Sequence, residues 1–290
     1  MPAIIINGKE TAKKVQEQAA AATAALKQKG IVPCLAVILA GDNPASVSYV
    51  TGKKKALDET GMEGRILRLA ETTPEAEVLS LIASLNSDTR VHGILVQHPF
   101  PPQINEDKIF SAIVPEKDVD GFHPVSAGNL VLGKPGFLPG TPSGIIYLLK
   151  EWNIPVAGKH VVILGRSNIV GKPLANLLVR KDQNATVTIC HTGTPDLSYF
   201  TQQADILIAA AGRPGLVTRD MVKEGAAIID VGVNRIPDPS RKNGFRLKGD
   251  VDYENLLDKA GWITPVPGGV GPMTIAMLMR NVVLAAEKCV

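Results

Sequence analysis

Aromatic residues make up only 4% of this 290-residue chain, and cysteine occurs three times, at Cys34, Cys190 and Cys289. Three widely separated thiols, odd in number and without metal-ligand spacing, exclude a disulfide framework and a cysteine-built metal centre. They fit reduced thiols of a cytosolic protein, and no metal is expected. Charge of one sign is also lacking, because 31 lysines and arginines face 28 acids. That balance, with no basic run or aromatic-studded basic motif, argues against a nucleic-acid partner and fits an anionic small molecule equally well. The opening MPAIIINGKE has neither the basic head nor the long apolar core of a signal peptide. No uninterrupted apolar run approaches membrane length, so a cytoplasmic protein without membrane association is expected.

What is present is apolar residue in quantity, 45% of the chain, in a length sufficient for two domains with sizeable cores. The stretch 159–178, KHVVILGRSNIVGKPLANLL, organises the rest. Its β-branched run 160–164 breaks at Gly165, and residues 170–178 then carry apolar side chains at helical spacing. Strand, tight turn and helix in that order, with Gly165, Ser167 and Gly171 as the small residues, form a candidate pyrophosphate cradle. The match is inexact, since Ser167 stands for the second glycine and Gly171 falls one residue late. A plain structural turn is the competing reading. Further buried strands at 185–190, 205–209 and 226–231 make this half a doubly wound nucleotide-binding domain. No acid follows the second strand, which ends in Cys190, His191 and Thr192, while Arg166 stands in the turn. That favours NADP over NAD.

The first half repeats strand and helix: a helix over 10–29 stopped by Gly30, a strand at 35–39, a helix starting at Asn43 and Pro44, a strand at 65–69, a helix at 74–86 opened by Thr73, and a strand at 91–97. The rhythm predicts a parallel sheet. On the helix after Pro44, Ser46, Tyr49 and Lys53 share one face. A solvated lysine is the ordinary outcome, but this face lies near the carboxyl end of a strand, where α/β folds place their sites. Gly52 inside that helix points to close approach by another element. Gln97 ends the last strand, and KDVDG places Asp118 and Asp120 in a loop. Residues 236–249 read as an exposed loop. TPVPGGVGPMT, 264–274, is too rich in glycine and proline for helix or strand and precedes an apolar helix from about Ile275 to Glu287. It is either a surface loop or a shaped backbone wall for a flat ligand.

In their order, SVSYVTGKKKALDETG, GILVQHPFP, PEKDVDGFHP, TPSGIIYLL, GRSNIVGKPLANLL, ADILIAAAGRPG, GAAIIDVGVNR, GDVD and TPVPGGVGPMT closely resemble the FolD family of bifunctional methylenetetrahydrofolate dehydrogenases and methenyltetrahydrofolate cyclohydrolases. The resemblance implies an N-terminal α/β folate domain, residues 1–140 completed by 275–290, and a Rossmann NADP domain, residues 141–274, with a cleft between them. It implies that Tyr49, Lys53, Gln97 and Asp120 are catalytic, with Val96 and His98 beside the glutamine. It also implies a folate wall made by Pro267, Gly268, Gly269, Val270, Gly271, Pro272, Met273, Thr274 and Ile275. Gly165, Arg166, Ser167, Thr192 and Val233 would hold NADP, and a homodimer is expected. Departures stand at His98, Phe100, Ser126, Asn129 and Gly140, and His98 bears on the second activity because it adjoins Gln97. Three alternatives stay open: an NADP dehydrogenase for a keto acid or ring ketone sharing only the Rossmann half, a family member with one activity, and a non-catalytic NADP sensor or scaffold.

Overall fold

The computed structural model describes residues 2–241 and 244–289. Its elements begin with β1 (Ile4–Ile5), α1 (Gly8–Gln28), β2 (Cys34–Ala40), α2 (Pro44–Glu59), β3 (Glu63–Leu69), α3 (Glu75–Ser87) and β4 (Gly93–Val96). Then come α4 (Glu106–Ala112), α5 (Pro124–Leu132), α6 (Gly140–Glu151), β5 (His160–Leu164), α7 (Gly171–Leu178), β6 (Thr186–Cys190), α8 (Leu197–Thr201) and β7 (Ile206–Ala209). The chain closes with β8 (Ala227–Asp230), β9 (Asn234–Pro237), β10 (Phe245–Lys248), β11 (Trp262–Ile263) and α9 (Val270–Glu287). It divides into two compact units, one of Lys13–Gly140 with Ile275–Val290, the other of Met1–Ala12 with Thr141–Thr274. The first twelve residues thus sit with the nucleotide-type unit, because β1 pairs in parallel with β11. Two-residue strands carry no periodicity, and neither is visible in the sequence.

In the unit of Lys13–Gly140, β3-β2-β4 form a parallel sheet. β2 is buried along its whole length, so alternate residues feed two cores. Leu35, Val37 and Leu39 meet α9 through Leu278, Met279, Val282 and Val283. Cys34, Ala36 and Ile38 pack with Val78, Ile82 and Ile109 from α3 and α4. Asn43 caps α2 by accepting the Ala45 and Ser46 amides at 2.9 and 3.4 Å, with Pro44 at the first helical position. Thr73 does not open α3; Pro74 occupies the cap position and no side chain bonds the free amides.

In the other unit, six parallel strands run β1-β11-β8-β7-β5-β6. β5 connects to β6 on one side and β7 on the other, so the strand order reverses at β5. Residues 236–249, expected as a loop, include most of an antiparallel hairpin, β9 with β10; Lys242 and Asn243 lie outside the described residues. α9 begins five residues before Ile275. Gly271 and Pro272 belong to its first turn, where backbone amides have no helical partner and proline loses nothing. By length and composition α9 is able to cross a membrane, yet most of it is buried within the protein.

Candidate functional site

At the carboxyl end of β4, Lys53 reaches in from α2 and its Nζ donates to Gln97 Oε1 at 2.9 Å. Gln97 Nε2 donates to the His98 carbonyl at 2.7 Å. With its amide nitrogen engaged there, Gln97 must turn its oxygen to the lysine. Lys53 and Gln97 are 8% and 9% exposed, so an ionised amine here has lost most of its hydration. Burial lowers the Lys53 pKa from 10.5, and the negative charge of Asp120 opposes that fall. Asp120 keeps an edge open to solvent, but its carboxyl lies deep enough that burial pushes its pKa up to about 6, against the pull of Lys53. Tyr49, one turn before Lys53, is exposed at 39%. Gly52 lies against Ile275, whose Cδ1 would be 3.3 Å from an added Cβ, the close approach by another element that a glycine in this helix led one to expect.

The neighbours of Gln97 divide. Val96 is 3% exposed and its side chain packs in the core between sheet and α3. The His98 ring has Nε2 3.2 Å from Glu106 Oε2 and stands edge-to-face with Phe100; it is the His98 backbone carbonyl that accepts from the glutamine. The peptide bonds His98–Pro99 and Val266–Pro267 are cis.

In the other unit the expected cofactor residues gather at the carboxyl edge of the sheet. Gly165 follows β5 with φ 124°, and a Cβ there would stand 2.2 Å from the Ala210 carbonyl oxygen, so this turn admits only glycine. Arg166, Ser167 and Thr192 are exposed. The Arg166 guanidinium lies 3.4 Å from His191 Nε2, putting two nitrogen-rich side chains over adjacent strand ends. Ser167 is used differently from the expectation of bare amides: its Oγ accepts the amides of Val170 and Gly171 at 3.1 and 3.4 Å, capping α7. Val233, after β8, is 43% exposed. Pro267 to Thr274 belong to this unit and Ile275 to the other. Val270 and Met273 are buried at 3% and 0%, so their side chains serve the core, and Thr274 Oγ1 pairs with Thr141 Oγ1 at 2.8 Å.

Several residues that shape these edges escaped the sequence reading. Asp250 is fully buried and its Oδ2 accepts the Ala211 and Gly212 amides at 2.7 and 2.8 Å, fixing the loop after β7. Asp230 accepts the amides of Gly232, Asp250 and Val251, although burial raises its pKa to about 6. Their signal was present in IIDVG and GDVD, as acids beside glycine at the ends of apolar runs. His191 was visible only as the absence of an acid.

Two family models match the chain: the tetrahydrofolate dehydrogenase/cyclohydrolase catalytic domain over residues 6–120, and the NAD(P)-binding domain of the same family over 139–290. The bifunctional protein FolD of Exiguobacterium sibiricum is 53% identical over 98% of this chain and 100% of its own. The crystal structure of the bifunctional FolD enzyme from Campylobacter jejuni superposes with a TM-score of 0.94 at 49% identity, covering 99% of both chains. That of the Trypanosoma brucei methylenetetrahydrofolate dehydrogenase-cyclohydrolase, complexed with NADP cofactor and inhibitor, gives 0.96 at 37% identity, covering 100% of this chain and 99% of that one. A buried lysine-glutamine pair in one unit, a glycine turn with its arginine in the other, and both family models in the matching order place this chain in the tetrahydrofolate dehydrogenase/cyclohydrolase family.

Proposed function

We infer that the chain oxidises 5,10-methylenetetrahydrofolate with NADP and hydrolyses the resulting 5,10-methenyltetrahydrofolate to 10-formyltetrahydrofolate. The observation that carries the reading is the buried contact of Lys53 with Gln97, next to the Asp120 carboxylate. Oxidation removes hydride from a carbon held between two nitrogens, which already stabilise the cation formed, so positioning matters more than base strength. A charged amine beside that cation would oppose it; burial, by favouring the neutral form of Lys53, reduces the opposition. Asp120, ionised above about pH 6, binds the pterin in this reading and keeps a compensating negative charge nearby.

Ring opening needs proton movement. With one N–H of Lys53 given to Gln97, the neutral amine has a lone pair free to take a proton from water as its oxygen bonds to the methenyl carbon. The carbon–N5 bond then breaks. Of water's two protons, one ends on N5 and the other reaches solvent, so the cationic substrate becomes a neutral formyl product. Tyr49 lies one turn from Lys53 and closes the same face in this reading.

The Rossmann turn fits the cofactor: Gly165 leaves room no other residue would, and Arg166 offers a guanidinium suited to a 2′-phosphate. NADP, when bound, supplies the hydride acceptor; Arg166, Ser167, Thr192 and Val233 bind and orient it. Free cysteines suit a reducing cytoplasm, and a second copy of the chain is the partner in this reading, as the resemblance implies. Gel filtration with light scattering decides the dimer. The central assay follows NADPH appearance and then methenyltetrahydrofolate decay in one cuvette. Both are expected. Absent NADPH formation sinks the function, and formation without enzyme-dependent decay leaves a dehydrogenase alone.

A further inference from the structure

The Asp120 carboxylate belongs to a loop that is pinned on both sides of it. Asp118 is 2% exposed, and its carboxylate accepts the amides of Phe122 and His123 at 3.1 and 2.8 Å and the Ser126 hydroxyl at 2.6 Å. Val119 is fully buried against Gly93, where an added Cβ would come within 2.7 Å of its methyl. The peptide joining Val119 to Asp120 is held from far along the chain. Asn281 of α9 donates Nδ2 to the Val119 carbonyl at 2.8 Å and to the Leu138 carbonyl at 2.9 Å.

Asn281 is 5% exposed on a helix whose neighbouring buried residues are Leu278, Met279, Val282 and Val283. A buried amide among them costs stability unless its donors are used, and both bonds run to loop backbone flanking Asp120 and Gly121. An apolar residue would pack this helix as well; the amide's distinctive contribution is to fix the Val119–Asp120 peptide plane. We propose that Asn281 is a positioning residue that holds the Asp120 carboxylate beside Lys53. The inference rests on the roles given above to Lys53 and Asp120.

The charged groups acting on Asp120 are Lys53 from α2 and Asp118 from its own loop; β4 contributes the neutral Gln97 at its end, and α9 the neutral Asn281. The sign follows. Asp120 favours the ammonium of Lys53, so a carboxylate that swings away leaves burial unopposed and the amine loses its proton at lower pH. The limb of ring-opening activity that requires neutral Lys53 should move toward acid.

The test compares wild type, Asn281→Leu, Asp120→Asn and the double variant, with pH profiles of both activities and thermal melts. Asn281→Leu should shift the cyclohydrolase limb to lower pH and lower its kcat/KM, on the order of ten- to a hundredfold for a misplaced group. The shift should vanish in the Asp120→Asn background. Asn281→Ser, which keeps one donor and is the milder change if the leucine variant does not fold, should give a smaller shift of the same sign. A wild-type pH profile with only a lowered melting temperature, or an equal shift in the absence of the Asp120 charge, overturns the inference. If Asp120→Asn leaves both activities intact, the role of Asp120 itself falls, a result distinct from failure at Asn281.

Discussion

The two units bring their candidate chemistry to the carboxyl ends of parallel strands, yet one hides it and the other leaves it in water. Lys53 and Gln97 are more than nine-tenths buried, whereas Arg166, Ser167 and Thr192 are exposed. The difference fits the role proposed for each. A group that gives and takes protons has to have its pKa moved, and burial moves that of Lys53 down. A group that recognises a phosphate has to stay charged, and a guanidinium does so at any working pH. Burial is a tool in the first unit and would be only a cost in the second.

The sharpest way to break this contrast is to remove the buried amine. Lys53→Gln should reduce cyclohydrolase activity by about a hundredfold to ten-thousandfold, the usual weight of a general acid-base group, and leave NADP-dependent oxidation measurable. Methenyltetrahydrofolate would then accumulate in a time course. Lys53→Arg should do the same, because a guanidinium keeps its charge and offers no neutral base. In wild type the activity should rise with pH through the lowered pKa of the amine and flatten above it; in both variants that limb should be missing. Hydrolysis near the wild-type rate would refute a proton-handling Lys53, and equal collapse of both activities would leave it a folate-positioning group.

A smaller effect is expected at the exposed turn. Arg166→Ala should weaken NADP binding by about 1.5–3 kcal/mol, the range for a charge-assisted contact, and weaken NAD binding much less. Titration of each dinucleotide by calorimetry measures both losses, and equal losses would remove the phosphate role. The smallest effect is expected at His98, which follows Gln97 in the unit of Lys13–Gly140. Its ring pairs with Glu106 with both side chains more than 40% exposed, a contact worth roughly 0–1 kcal/mol. Gln97 uses only the His98 carbonyl, so His98→Leu should leave the cyclohydrolase pH profile where it was. A displaced profile would show that the imidazole acts on Lys53 after all.

Much of this architecture is legible in the sequence wherever local physics decides it. β5 falls at His160–Leu164, the expected residues, because a β-branched run stops at Gly165, whose positive φ only glycine accommodates. Lys53 and Tyr49 share a helix face by spacing alone, and Gln97 stands at its strand end because the apolar run before it is unbroken. What stayed hidden depends on distant partners. Ile4 and Ile5 become a strand only because Trp262 and Ile263 offer them an edge. The start of α9 was masked by Gly271 and Pro272, residues that break a helix interior but not its first turn. Asn281 reads as one polar residue on an apolar helix, and its bond partner lies 162 positions away.

The division of the chain has a consequence for synthesis. One face of the β3-β2-β4 sheet, with Leu35, Val37 and Leu39, is covered by residues of α9 at the far end of the sequence, and all of Thr141–Thr274 must be translated first. At about 5–20 residues per second that wait is on the order of ten seconds. During it that face of the nascent unit has only α1 and α2 to cover it, through Ala19, Leu26, Val50 and Leu57, and the apolar surface reserved for α9 stays open, while the other face is already closed by α3 and α4. The nucleotide-binding unit has only to gather its own N-terminal strand. A ribosome-bound chain arrested before Ile275 should therefore bind chaperones that recognise apolar surface, and release them when α9 emerges.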